Sequence, residues 1–130
     1  MEKLILLVMI FLHVVDDYYL QGILAQLKQK SWWEKNAPDP LYKNDYKVAL
    51  VTHAFSWTFM IMLPITITMI IHNNYIMIPY LMLFVINWMV HAWVDNLKAN
   101  ELNCSLLVDQ AIHLAQIIMT WTIMFYGIKL

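Results

Sequence analysis

The amino-acid sequence predicts an all-α membrane protein, with residues 1–130 forming one domain built as a bundle of four transmembrane helices. The first observation is composition, since 62% of the 130 residues are hydrophobic, against about 45–50% in soluble domains. The second is that these residues gather into four long apolar segments. The third is that Trp and Tyr stand near the segment ends, as they do at membrane interfaces.

The four apolar segments cover about 4–27, 48–71, 75–97 and 105–128. Each has the roughly 20 residues that a helix needs to cross a bilayer. The sequence begins Met1-Glu2-Lys3 and continues with an apolar run, as a secretory signal peptide does. Because no small-residue cleavage site follows, we expect this segment to remain as an uncleaved first helix.

The connections between segments predict the orientation in the membrane. The long connection, 28–47, is basic and carries five lysines, while 72–74 and 98–103 are short. The first and third connections, 28–47 and 98–103, which we call connections one and three, lie on the same side of the membrane. Together they hold six of the eight lysines. The positive-inside rule therefore places both in the cytoplasm of a bacterial inner membrane, with both termini outside.

Composition also limits the partners. A net charge of −1 provides no basic surface for nucleic acid. The single cysteine, Cys104, excludes an intrachain disulfide and a metal–thiolate cluster. Membrane lipids are the expected surroundings, and a bundle this small is a candidate for homo-oligomerisation.

Potential metal ligands recur at four-residue intervals in three of the segments, and the second segment adds one histidine. Four-residue steps keep side chains on one face of a helix. At about 1.5 Å per residue, most of these side chains lie ~5–12 Å inside the same membrane face, although His13 is deeper. The candidate ligands are His13, Asp17, His53, His91, Asp95, Asp109 and His113.

A divalent metal is the expected cofactor of this cluster. A carboxylate at the centre of a membrane helix costs about 2.5–3.5 kcal/mol, and Lys28 and Lys98 are the nearby cationic side chains. His and Asp without Cys favour zinc, or manganese or iron(II) with more oxygen ligands. Seven candidates exceed what one zinc ion binds, so either two metals bind or some residues have other roles. A metal-free network of hydrogen bonds, or simple polar contact between helices, are the alternatives.

The remaining roles follow from residue type. Gln21 and Gln110 are expected to orient water or metal ligands. Asp16 points about 100° away from Asp17 on an α-helix, which makes it a weaker ligand candidate. The expected catalytic side chains are Asp17, Asp95, Asp109, Lys28 and Lys98.

These motifs resemble a known family. The run His13-Val-Val-Asp-Asp17-Tyr-Tyr-Leu20-Gln21 is similar to the H-x-x-x-D-x-x-L-Q opening of a family of small bacterial and phage membrane proteins of unknown function, with Tyr18 where that family has Phe. The segment from His91 to Lys98 resembles its H-x-x-x-D-x-x-K element. The stretch from Asp109 to His113 resembles its D-Q-x-x-H element. Lys28 and His53 match an isolated lysine and histidine, and a looser resemblance links the chain to membrane-embedded hydrolases regarded as metal-dependent.

Three functions are consistent with this pattern. The first is a membrane-embedded, metal-dependent hydrolase or transferase that acts on a lipid-linked or amphipathic substrate. The second is a transporter or channel for a metal ion or proton. The third is a phage-type, non-catalytic effector with a structural metal, which would bind a host membrane protein through Trp32, Trp33 and the lysines of connection one.

Overall fold

The computed structural model describes residues 2–130, which form helices joined by turns and irregular connections and contain no β-strand. Six α-helices follow in order: α1 Glu2–Val15, α2 Leu24–Leu27, α3 Lys30–Asn36, α4 Asp45–Ile71, α5 Met77–Asn96 and α6 Leu106–Thr122. Wider π-helical turns extend three of them, over Asp16–Leu20, Leu97–Glu101 and Ile123–Gly127. A short 3₁₀ turn, Pro40–Tyr42, precedes α4.

Three helical stretches, not the four expected, are long and apolar enough to cross a membrane. They are Pro40–Ile71, Met77–Glu101 and Leu106–Gly127. The first segment, expected over 4–27, ends as a helix at Leu20 and turns at Gly22, where φ is +48°. Its 19 helical residues include Glu2, Lys3, Asp16 and Asp17, so the uninterrupted apolar part is too short for a full span.

The four long helices run up and down. Helix α4 packs against α1 and α5, and α6 packs against the same two helices. The Trp121 indole near the end of α6 donates a hydrogen bond to the Glu2 carbonyl at the start of α1, which shows that these helices are antiparallel. One end of the bundle therefore carries residues 21–44 and 102–105, and we call this end the loop-one face. The opposite end, which we call the far end, carries residues 72–76, the start of α1 and the C-terminus.

The far half of the bundle has an apolar core. Met9 of α1, Trp57 and Ile61 of α4, and Ile117 of α6 are buried together there. Exposed apolar side chains such as Phe11 also cover the outward faces of the same helices. Contiguous exposed apolar surface of this kind is typical of faces that contact a membrane or another protein.

The long connection folds over the loop-one face. The Lys30 amide donates to Asn100 Oδ1 at 2.7 Å, and Asn100 Nδ2 donates to the Lys28 carbonyl at 3.1 Å. Trp33 stacks on Tyr42, and its indole donates to the Leu27 carbonyl. These contacts attach connection one to the turn after α5, which brings Lys28 over the interior of the bundle.

Candidate metal centre

The buried ionisable side chains form one cluster in the loop-one half of the bundle. Helix α1 and its π-helical turn contribute three residues, α4 one, α5 two and α6 two, and Lys28 comes from the long connection. They are His13, Asp16, Asp17, Lys28, His53, His91, Asp95, Asp109 and His113. All seven ligand candidates predicted from the sequence are therefore buried close to one another.

His53 and His91 place their Nε2 atoms between the carboxylates of Asp17 and Asp95. His53 Nε2 lies 3.3 Å from Asp17 Oδ1, 3.3 Å from His91 Nε2 and 3.4 Å from Asp95 Oδ2. His91 Nε2 lies 3.9 Å from Asp17 Oδ1 and 3.8 Å from Asp95 Oδ2. Ligands bound at about 2.0–2.2 Å in a tetrahedron lie about 3.3–3.6 Å apart, so a metal ion fits among these atoms with small adjustments.

A second group shares two of those residues. His113 Nε2 lies 3.6 Å from Asp95 Oδ1 and 3.3 Å from Asp109 Oδ1. Each of the groups Asp17–His53–His91 and His91–Asp95–His113 has its ligand atoms within 4.8 Å of one another. The buried His and Asp residues can therefore hold a metal ion.

Lysine and glutamine side chains hold the carboxylates in position. Lys28 Nζ donates to Asp95 Oδ2 at 2.6 Å, and Lys98 Nζ donates to Asp109 Oδ2 at 2.6 Å. Gln110 Nε2 lies 3.1 Å from Asp17 Oδ2 and 3.0 Å from Asp109 Oδ2. The expected orienting role of Gln110 is matched by contacts to two candidate ligands.

His13 occupies a different position from the other histidines. Its Nδ1 accepts a hydrogen bond of 2.8 Å from the indole of Trp57 and lies 3.6 Å from Asp17 Oδ2. That nitrogen is therefore engaged by the protein, and His13 belongs to neither group of converging ligand atoms. This agrees with its greater depth in the sequence-based estimate.

Two residues with contacts to the cluster were underrated or missed by sequence reasoning. Asp16 is buried, accepts a hydrogen bond of 2.7 Å from Ser56, and lies 3.7 Å from His53 Nδ1 through its other oxygen. Trp57 stacks on the His91 ring with 4.2 Å between centroids. Both could have been found from the sequence, because Asp16 adjoins Asp17 and Trp57 follows His53 by four residues.

A small pocket of about 80 Å³ opens beside the cluster at the loop-one face. Asp17, Lys28, Lys98, Gln21 and Gln110 line it together with two apolar side chains. Gln21 is fixed there by a hydrogen bond from its amide to the Asp17 carbonyl. The volume suffices for several water molecules or one small anionic group.

Comparison with known proteins identified no relative of this chain. The chain matches no family model, no curated protein and no solved structure.

Proposed function

We propose that this chain is a membrane-embedded, metal-dependent hydrolase or transferase that acts on a lipid-linked or amphipathic substrate carrying an anionic group. The observation that supports it best is that His53 Nε2 and His91 Nε2 lie 3.3 Å apart and each lies within 3.3–3.9 Å of carboxylate oxygens of Asp17 and Asp95, inside an apolar bundle. Buried charges of this kind are normally functional, because leaving them unpaired in a membrane is costly.

The balance of charge supports a divalent cation. Four buried aspartates carry four negative charges, and Lys28 and Lys98 offset two of them. One divalent ion would neutralise the remainder. Two imidazoles with two carboxylates suit zinc, which we take as the first choice, while manganese and iron(II) accept the same donors.

The pocket provides access for a substrate from the loop-one face. A bound divalent ion would lower the pKa of a water ligand and polarise the scissile oxygen. Lys28 and Lys98 line the pocket and would hold a phosphate or carboxylate group. Asp17 both lines the pocket and belongs to the ligand group. We assign its Oδ2, which contacts Gln110, as the atom that accepts a proton from a water in the pocket.

The location of the pocket suits an amphipathic substrate. Three helices are long and apolar enough to span a membrane, and the pocket lies between the turn after α1, connection one and the loop-one ends of two of them, α5 and α6. A polar group could enter the pocket while its apolar part remains among the lipids. We propose a bacterial inner membrane with the loop-one face in the cytoplasm, because six of the eight lysines lie on that face. The bacterial and phage family remains a resemblance in the motifs.

Transport is the less favourable alternative. Between the cluster and the far end, the core consists of Met9, Ile61, Met62, Ile65 and similar side chains. Among residues 2–130, no buried ionisable side chain lies deeper than His13. A relay of ionisable groups from the cluster to the far end is therefore interrupted within residues 2–130, where the buried polar side chains beyond His13, among them Asn87, Thr120 and Thr68, are uncharged.

The test uses the full chain purified in mild detergent. Metal content is measured by elemental analysis, and products released from phosphate-bearing and ester-linked lipids in mixed micelles are measured by mass spectrometry. We expect bound zinc and a chelator-sensitive product in the wild type. The Asp17→Asn and His91→Ala variants should bind less zinc than the wild type and lose the product, whereas His72→Ala, an exposed histidine at the far end, should keep both the zinc and the product.

Three outcomes would count against the proposal in different ways. A folded wild type without metal would remove its basis. Metal without any product, together with capture of a host membrane protein, would favour the effector with a structural metal. Uptake of metal into sealed liposomes without hydrolysis would favour transport.

A further inference from the structure

The cluster contains a second pair of ligand atoms that the first group does not use. Asp109 and His113 are fully buried, and Asp109 Oδ1 lies 3.3 Å from His113 Nε2. Neither atom has a hydrogen-bond partner among residues 2–130. Buried polar atoms without partners destabilise a fold, so this pair calls for an explanation.

The tautomer of His113 follows from its neighbours. Gln116 Nε2 donates to the Asn87 carbonyl at 3.1 Å and to Asn87 Oδ1 at 3.2 Å, so Gln116 Oε1 is the atom that faces His113. His113 Nδ1 lies 3.2 Å from that oxygen. Because an amide oxygen only accepts, Nδ1 carries a proton, and Nε2 is the ring atom that faces the two aspartates: it is a donor in the protonated ring and a metal ligand in the neutral one.

The other oxygen of Asp109 is already occupied. Asp109 Oδ2 accepts from Lys98 Nζ at 2.6 Å and from Gln110 Nε2 at 3.0 Å, which orients Oδ1 toward His113. In the neutral ring, a carboxylate oxygen and an imidazole lone pair would face each other at 3.3 Å. Two acceptors repel each other at this distance unless a cation lies between them, and 3.3 Å is the separation expected for two ligands of one tetrahedral ion.

Asp95 connects this pair to the first group. Its Oδ1 lies 3.6 Å from His113 Nε2, while its Oδ2 lies 3.4 Å from His53 Nε2. The two oxygens of the Asp95 carboxylate therefore lie against two separate sets of ligand atoms. Pairs of metal ions are common where enzymes displace groups on phosphorus, because the two ions stabilise the attacking and the leaving oxygen.

We propose that the cluster is a two-metal centre bridged by Asp95. The first ion is held by Asp17, His53, His91 and Asp95, and the second by Asp95, Asp109 and His113. The two-metal centre rests on the proposed function, and it restricts the expected substrates to one chemical class. With two divalent ions the buried charges leave an excess of two positive charges, which suits a dianionic phosphate group rather than a neutral ester.

The deciding measurement is metal stoichiometry. The detergent-purified chain is loaded with zinc, separated from free metal by gel filtration and analysed for zinc and sulfur. We expect about two zinc ions per chain for the wild type. Asp109→Asn should retain about one, because the first set of ligands remains, and the exposed control Glu34→Gln should retain about two.

The outcomes separate this inference from the proposed function. One zinc ion per wild-type chain would overturn the two-metal centre and leave the single-metal enzyme standing, with His113 then protonated between the two aspartates. No zinc would overturn both. Two zinc ions in Asp109→Asn would contradict the assignment of the second site.

A measurement on the wild type covers the case in which Asp109→Asn fails to fold. Loaded with manganese, a carboxylate-bridged pair gives the electron paramagnetic resonance signal of two exchange-coupled ions. We expect that signal at full loading. A signal from isolated manganese alone would refute the bridge without any substitution.

Discussion

Asp16 contacts the candidate metal centre through His53 and belongs to neither group of converging ligand atoms. Its Oδ1 accepts a hydrogen bond from Ser56, and its Oδ2 lies 3.7 Å from His53 Nδ1, the ring atom that faces away from the other ligands. Histidine ligands of metals generally place their second nitrogen against a carboxylate or carbonyl, which fixes the ring and raises its basicity. Asp16 is positioned for that role.

The substitution Asp16→Asn removes the charge and keeps the size and the bond to Ser56. We expect zinc affinity to fall about 10–100-fold, in line with the loss of such partners elsewhere, while the number of zinc ions at saturation stays unchanged. Competition with a chromophoric chelator in detergent measures the affinity. Glu34→Gln, a neutralised acid on the exposed loop, is the control. Equal affinity in the two variants would show that Asp16 has no such role.

Trp57 contacts two histidines of the cluster, His13 and His91, from the side that is nearer the far end of the bundle. Its indole donates to His13 Nδ1 at 2.8 Å, and its ring stacks on His91. Trp57→Phe keeps an aromatic ring and leaves the His13 acceptor without its donor. We expect a loss of about 1–3 kcal/mol in stability, seen as a lower unfolding temperature in detergent.

The control for Trp57→Phe has to separate the hydrogen bond from lost packing. A double-mutant cycle does so, since Trp57→Phe should cost less in a His13→Phe background, where no buried acceptor remains. Trp93→Phe, at an exposed tryptophan of α5, should change little. Equal costs of Trp57→Phe in both backgrounds would show that packing alone explains the effect.

The cluster residues themselves were predictable from the sequence, but their pairing was not. The four-residue spacing of polar residues in apolar segments indicated a shared site. It did not show that Asp95 faces both groups, or that Trp57 engages His13, since both depend on how the helices are rotated against one another. Asp16 was underrated because the spacing rule assumes one inward stripe, whereas α1 is covered by α4 on one side and by α6 on another.

The break after α1 is the element that brings Lys28 to the cluster. Gly22 adopts φ +48°, a left-handed conformation, and the chain then turns back through α2. A Cβ at this position would meet only the Leu20 carbonyl, at 3.7 Å, so space does not exclude a side chain. The requirement for glycine is therefore conformational.

Gly22→Ala should destabilise the protein by about 1–2 kcal/mol, the cost of a left-handed conformation for a residue with a Cβ. Gly22→Asn should cost less, because Asn tolerates this region. Unfolding temperatures in detergent measure both. Zinc affinity should change along with them if the turn sets the contact between Lys28 and Asp95. Identical behaviour of the Ala and Asn variants would contradict a conformational role for Gly22.

Hydropathy predicted three helices well and the first one badly. The segments expected over 48–71, 75–97 and 105–128 correspond to α4, α5 and α6 within a few residues. Apolar length is a sufficient signal there because each helix is nearly uninterrupted. In the first segment, the Asp pair and Gly22 lie inside the expected span, and the functional residues themselves shorten the apolar run. A count of hydrophobic residues cannot distinguish a helix that crosses the whole membrane from a helix that ends part-way, at a cluster of polar side chains.

At the scale of the whole molecule, the lysines and the metal centre lie at the same end of the bundle. Six of the eight lysines belong to connections one and three, and the pocket beside the cluster opens at that end. Under the positive-inside rule, the proposed substrate would reach the pocket from the cytoplasm. The single cysteine, Cys104, lies between α5 and α6 at this same end, partly exposed and free, and it provides a probe of orientation.

A membrane-impermeant maleimide should leave Cys104 unlabelled in intact bacterial spheroplasts and label it in inside-out vesicles. The matched control is Tyr75→Cys in a Cys104→Ser background, because Tyr75 is exposed in the connection at the far end; it should show the opposite pattern. Both proteins should be labelled in detergent, which confirms that each thiol can react. Labelling of Cys104 from outside intact spheroplasts would reverse the orientation. The pocket would then receive an extracytoplasmic substrate, although the geometry of the metal ligands would remain the same.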